Sequence, residues 1–194
     1  MEKKKNICVY CASSKHVAKE YFDAANRFGQ LLAENGLACV CGAGREGLMG
    51  AIADSILARG GNVTGVIPQF MVDNGWCHQS LTHTIVTPDI HSRKQRMAEM
   101  SDAAVALPGG CGTLEELLEI ITWKQLGLYG KPIVILNTGG FYDHLLQMLS
   151  HAAEEHFMKE SHLLLWNVAG TPEEAIRILM SPEKEAPVES KYYD

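Results

Sequence analysis

Five short apolar runs, evenly dispersed through the chain, restrict its architecture more than any other feature. They are Ile7-Cys8-Val9-Tyr10, Leu37–Cys41, Val63–Ile67, Ala103–Leu107 and Ile133–Leu136. Each is continuous rather than alternating, the signature of a strand covered on both faces, as in a parallel sheet. Amphipathic segments separate them: Val17–Glu34, with apolar residues at Phe22, Ala25, Phe28, Leu31 and Leu32, then Leu48–Ala58, Ser92–Met100, Leu114–Leu126, Tyr142–Ala153 and Pro172–Met180. Weaker strands are expected near Thr84–Thr87 and Leu163–Val168. This alternation predicts an α/β fold: a single-domain, Rossmann-like, doubly wound sheet, mostly parallel, with helices on both faces. The expected domain covers residues 1–180, and the polar stretch 181–194 reads as a C-terminal tail. The segment Gln69–Asp89 breaks the rhythm with Asp73-Asn74-Gly75, Trp76 and two histidines, and is expected to be a long functional loop or lid.

Charge and cysteine usage narrow the function. Seventeen Lys and Arg against 23 Asp and Glu give a net charge of −6, which disfavours nucleic acid or an anionic membrane as partner. No apolar run approaches the roughly 20 residues that span a bilayer. The basic start Met1–Asn6 leads into only four apolar residues, too few for a signal peptide. A cytoplasmic location is therefore expected. The cysteines at 8, 11, 39, 41, 77 and 111 lie largely inside apolar runs, which fits reduced core thiols better than disulfides. A metal or redox reading of Cys8-x-x-Cys11 is weak, since a strand sends these two side chains to opposite faces and no second C-x-x-C follows.

Open α/β sheets bind ligands beyond the carboxyl ends of their strands, and three informative loops fall there. Cys11-Ala12-Ser13-Ser14 offers hydroxyls and amides to a ligand, or a cap to the next helix. Gly42-Ala43-Gly44-Arg45-Glu46-Gly47 spells G-x-G-x-x-G, yet it follows the second strand. The next strand ends in Ile67-Pro68-Gln69, without the carboxylate a dinucleotide site needs for ribose. Leu48-Met49 stand where a Walker A loop has Lys-Ser/Thr. What remains is a tight turn able to deliver amides to an anion or ribose. Pro108-Gly109-Gly110-Cys111-Gly112-Thr113-Leu114-Glu115-Glu116 follows a strand and opens a helix, an arrangement that suits a phosphate. Without a P-loop lysine, a monophosphate fits better than a triphosphate. Thr113 and Glu116 also have capping-box spacing, with Glu116 returning a bond to the Thr113 backbone. Upstream, Arg93, Lys94 and Arg96 form a local cationic cluster in an acidic chain. Spacing puts Arg93 and Arg96 on one helix face beside Met97, with Lys94 elsewhere.

Together these residues resemble the LONELY GUY proteins, cytokinin riboside 5′-monophosphate phosphoribohydrolases long labelled lysine decarboxylases. The matching elements are P-G-G-x-G-T-x-x-E at Pro108–Glu116 and R-K-x-x-M at Arg93–Met97. They also include Val9–Ser14, Gly42–Gly50, Gly65–Pro68 and Ile121–Gly127. The resemblance implies Arg93 and Glu116 as the catalytic pair. It places the 5′-phosphate on Gly109, Gly110, Gly112 and Thr113, with Ser13, Gly42, Gly44, Lys94 and Met97 around the substrate. It implies a Rossmann-like homodimer with sites near the subunit interface. Two departures stand out: Ala12 replaces a usual glycine, and Ala43-Gly44-Arg45-Glu46 replaces a plainer glycine-rich run. Gln69–Ile90 also differs from the more familiar members.

The expected reaction is hydrolysis of the N-glycosidic bond of an adenine-type nucleoside 5′-monophosphate, plain or N6-prenylated, to free base and ribose 5-phosphate. No metal and no organic cofactor are expected. Glu116 would stabilise an oxocarbenium-like ribose or activate water, and Arg93 would orient the substrate. No lysine context suggests a pyridoxal aldimine. The alternative is a nucleotide or molybdenum-cofactor carrier on the same fold, without turnover. His78, His83 and His91 are expected near the cleft, His144 and His151 at the surface or an interface. Trp123 and Tyr129 are candidates for dimer contacts or core.

Overall fold

The computed structural model describes residues 4–181. Seven strands form one sheet: β1 (Asn6–Tyr10), β2 (Ala38–Cys41), β3 (Val63–Pro68), β4 (His83–Thr87), β5 (Ala103–Ala106), β6 (Ile133–Leu136) and β7 (Asn167–Ala169). Their order is β4-β3-β2-β1-β5-β6-β7, and every neighbouring pair is parallel. The expected doubly wound sheet is therefore observed, in a purely parallel form. From β1 the chain winds outward to β4, returns to β5 beside β1, and winds outward again to β7. The reversal between β1 and β5 is the topological switch point at which sheets of this kind hold ligands.

Seven α-helices cover the sheet among the described residues: α1 (Lys19–Glu34), α2 (Gly47–Leu57), α3 (Gln69–Asp73), α4 (Ile90–Met100), α5 (Cys111–Gln125), α6 (Asp143–Glu154) and α7 (Pro172–Met180). One core layer joins Ile7, Val9 and Cys11 to Phe28, Leu32, Leu48, Ile52 and Ile176, beneath α1, α2 and α7. The other joins Cys8 and Tyr10 to Met97, Leu117, Ile120 and Tyr142, beneath α4, α5 and α6. Cys8 and Cys11 thus lie on opposite faces, as strand geometry requires. α7 begins where its sequence says it should. Thr171 accepts a hydrogen bond from the Glu174 amide at 3.2 Å, and Pro172 supplies a fixed φ in the first turn.

Three segments depart from expectation. Leu163 and Leu164 belong to a 3-10 turn, Glu160–Leu164, and the last strand starts only at Asn167. Gln69–Asp89 is no open loop: it folds into α3 and edge strand β4, and an antiparallel bridge pairs Cys77 with Gly44. α5 starts at Cys111, three residues early, because Gly110 is its cap. The proposed tail lies outside the described residues apart from Ser181.

Candidate active site

The three carboxyl-end loops are laced together through Ala12. Its amide donates to the Pro108 carbonyl at 3.2 Å, and its carbonyl accepts from Leu48 at 2.9 Å and Met49 at 3.3 Å. Among the described residues, positive φ outside glycine occurs at Ala43 and His156 but not at Ala12, so alanine fits there without strain. The second loop is anchored at Gly47, whose φ is +63°. A Cβ at Gly47 would lie 2.5 Å from the Ser13 carbonyl carbon and 2.6 Å from the Ser14 oxygen. Only glycine lets these two loops touch. Ser13 itself is exposed, and α1 begins at Lys19 behind Ala18, so the first loop does not cap that helix.

The third loop presents an open helix start. Gly110, Cys111 and Gly112 are exposed, and the first intrahelical bond runs from the Leu114 amide to the Gly110 carbonyl at 3.0 Å. The amides of Cys111, Gly112 and Thr113 therefore precede the α-helical ladder and carry the positive end of the helix dipole. Gly109 is buried, and its missing side chain leaves room for Thr113, whose Oγ1 would sit 2.1 Å from a Cβ there.

This early helix start dissolves the expected capping box. Thr113 lies inside the first turn, and Glu116 is one turn further along. Instead of bonding backwards, the Glu116 carboxylate accepts a hydrogen bond from Arg93 Nη2 of α4 at 2.7 Å. The two side chains are 10% and 13% exposed, so the ion pair is nearly enclosed. Burial raises the Glu116 pKa above its ordinary value, and the Arg93 guanidinium opposes this. The other side of the guanidinium, Nη1, lies 3.7 Å from the Met71 sulfur of α3. Gly42 gives it space, since a Cβ there would come 3.4 Å from Nη1. Arg93 Nε is buried without a hydrogen-bond partner.

The cationic cluster divides differently from its spacing. Lys94 shares the inner side of α4 with Arg93, is 4% exposed, and bonds to Glu115 and, at 3.0 Å, to Glu119. Burial acts to lower its pKa, but the two carboxylates prevail and raise it. Lys94 thus joins α4 to α5 with its charge already partnered. Arg96 points to solvent and pairs with Glu99 at 3.6 Å. Met97, 1% exposed, is part of the core beneath α4 and not a cleft residue. Gly44 makes room for the Met49 thioether, 3.1 Å from where its Cβ would be, and pairs with Cys77.

The histidines are not gathered at the site. His78 is 9% exposed and bonds Asp54 at 3.0 Å through Nε2, while its Nδ1 accepts the Ser80 amide, clipping the segment after α3 onto α2. His83 opens β4 at the opposite end of the sheet, and His91 is exposed on α4. Sequence reasoning missed Met71, whose only signal was membership of the irregular segment. It also missed Tyr142, which donates to the Leu107 carbonyl at 2.6 Å directly ahead of the phosphate-loop candidate. Cys8, Cys11, Cys39 and Cys41 are buried in the core, and burial pushes the Cys8 thiol up to about 12. Cys111, by contrast, is exposed at the helix start.

The family model described as "Possible lysine decarboxylase" matches residues 49–179. The cytokinin riboside 5′-monophosphate phosphoribohydrolase LOG5 of Arabidopsis thaliana is 39% identical over 175 residues, covering 90% of this chain and 77% of its own. LOG1 of the same plant, with the same activity in its name, is 44% identical over 154 residues, 79% of this chain and 72% of its own. The molybdenum cofactor carrier protein of Chlamydomonas reinhardtii superposes with a TM-score of 0.70 at 22% identity, over 91% of this chain and 96% of that one, a likeness of fold alone. The carboxylate–guanidinium pair, the open helix start and this extent of identity lead to one conclusion: the chain belongs to the LONELY GUY (LOG) family, whose sequence model carries the lysine decarboxylase description.

Proposed function

We propose that this chain hydrolyses the N-glycosidic bond of an adenine-type nucleoside 5′-monophosphate, releasing free base and ribose 5-phosphate. The observation that carries the reading is the enclosed Arg93–Glu116 pair beside an open helix N-terminus. In this account the phosphate takes the Cys111–Thr113 amides, with Gly109, Gly110 and Gly112 keeping side chains out of its way. Ser13, on the loop tied to Gly47, lies toward the ribose. Lys94 acts as a positioning residue through Glu115 and Glu119. Met97 supports α4 from below.

The C1′–N bond breaks with its electron pair passing to the base, and positive charge spreads over C1′ and the ring oxygen. Ionised Glu116 stabilises that charge and accepts a proton from the attacking water, whose oxygen bonds to C1′. The proton ends on the departing base. A raised pKa suits the task, since a carboxylate closer to neutrality is a stronger base. Arg93 keeps Glu116 ionised and orients it.

The same reading makes residues 1–180 one catalytic domain and the protein a homodimer working in the cytoplasm. Six free cysteines fit a reducing compartment, and among the described residues no helix is long and apolar enough to cross a membrane. Leu118, Leu126 and Leu128 are exposed on and just after α5 and supply apolar area for a subunit contact. Incubation with AMP and with its N6-isopentenyl derivative, followed by chromatography, tests the reaction. Equimolar base and ribose 5-phosphate are expected. Ligand recovered intact after prolonged incubation would point instead to a carrier.

A further inference from the structure

Ala43 is a strained residue that the proposed chemistry does not use. It holds φ at +59° with its side chain fully buried, in the left-handed region that a Cβ disfavours. Backbone of this kind persists only where its surroundings over-determine it, and such residues gather at functional sites. Here the Ala43 carbonyl accepts from the His78 amide at 2.9 Å, and the Arg45 amide donates to the Trp76 carbonyl at 3.1 Å. Between these two bonds, Gly44 pairs with Cys77 in the antiparallel bridge. Gly65 of β3 leaves the space that Ala43 fills, since a Cβ there would lie 2.5 Å from the Ala43 Cβ. Residues 76–78 therefore lie along the turn as a short brace.

One buried side chain pins the brace to the body of the protein. His78 Nδ1 accepts the Ser80 amide at 3.2 Å, which leaves the ring proton on Nε2 to be donated to Asp54 of α2 at 3.0 Å. The far side of the turn adjoins the site. A Cβ on Gly42 would stand 3.4 Å from Arg93 Nη1 and 3.5 Å from Cζ, so the backbone just ahead of Ala43 bounds one side of the guanidinium. Glu116 and Met71 meet its two terminal nitrogens, and Nε is buried without a partner. With Nε idle, packing decides how the guanidinium plane is turned. We infer that His78 is a positioning residue: by holding the strained Ala43 turn it keeps Gly42 beside Arg93, and so fixes the direction in which Arg93 meets Glu116. The consequence for catalysis rests on the phosphoribohydrolase reading above. Asp54 shares the role with less weight, because its carboxylate is largely exposed.

The test is a rescue. His78→Ala should lower kcat at least tenfold on the nucleoside monophosphate that the wild-type protein hydrolyses best, with KM within about threefold. A glycine at position 43 adopts the positive φ freely and needs no brace. Ala43→Gly added to His78→Ala should therefore restore kcat to within about threefold of Ala43→Gly alone. A residue that only stabilised the fold would lose thermal stability without this recovery. Asp54→Ala changes an exposed position and decides the matter if His78→Ala does not fold: a loss of about threefold is expected, again recovered by Ala43→Gly. A smaller loss, a loss confined to KM, or one that Ala43→Gly does not recover overturns the proposal. Failure of the underlying reading looks different: the wild-type protein would release base from no nucleoside monophosphate. Solvent exchange of the Arg93 Nε proton, followed by NMR, then reports the seat of Arg93 without turnover. It should quicken at least tenfold in His78→Ala and return to within about threefold of the wild-type rate when Ala43→Gly is added. A smaller change, or one that is not recovered, overturns the assignment.

Discussion

Glu116 shows how one residue can carry a local and a distant explanation at once. Its spacing from Thr113 matches a capping box, and nothing within α5 reveals that the helix starts earlier. Three glycines and a cysteine at Gly109–Gly112 read as a loop, whereas Gly110 alone is the cap. The motif identified the residue, but its partner came from another helix and was not legible locally. The raised pKa gives a signed prediction. A carboxylate whose pKa is lifted by burial takes up its proton at a higher pH than a free one as the solution is acidified. The acid limb of the kcat/KM profile should therefore lie above the ordinary glutamate range. A limb at the ordinary value would mean that another group governs the rate.

At the scale of elements, the loops and the α4–α5 pairing hold the site. Gly47→Ala places a side chain on a positive φ and drives it into the Ser13 backbone. Chemical denaturation should show a loss of at least about 1 kcal/mol from conformation alone. Lys94→Met removes the cation shared by Glu115 and Glu119 and should cost about 1–3 kcal/mol in stability. It should lower kcat more than substrate affinity, because it loosens the seat of Arg93 and not the phosphate amides. Unchanged thermal stability would remove Lys94 from this role. Element identity was largely legible here, since continuous apolar runs and 3.6-residue periodicity are written into single segments. Pro172–Met180 was legible to the residue because Thr171 and Pro172 mark its start. β4, at His83–Thr87, was also legible as the weaker strand near Thr84–Thr87; α3 was not, being short, without a buried residue and followed by a strip fixed by tertiary bonds such as His78 to Asp54.

For the whole molecule, strand order decides where chemistry can occur. The reversal between β1 and β5 places the Cys11–Ser14 and Pro108–Thr113 loops side by side, and the Gly42–Gly47 turn completes the ring around Ala12. Alternation of strands and helices predicted a doubly wound sheet, but the position of β4 outside β3 depends on contacts that no local pattern encodes. Assembly also belongs to this scale. Tyr129, 4% exposed, is core and offers no contact area, so a dimer would draw on Leu118, Leu126 and Leu128. Sedimentation should give twice the 21.3 kDa chain mass, and Leu128→Asp should shift the protein toward monomer. A wild-type monomer at micromolar concentration would contradict the dimer.

All of these scales converge on one pair of side chains held between α4 and α5. The direct test is the turnover number of Glu116→Gln on the nucleoside monophosphate that the wild-type protein hydrolyses best, measured at saturation with ligand affinity followed in parallel. The account predicts a loss of about 10²–10⁴-fold in kcat with affinity nearly retained. Wild-type turnover in Glu116→Gln would contradict it.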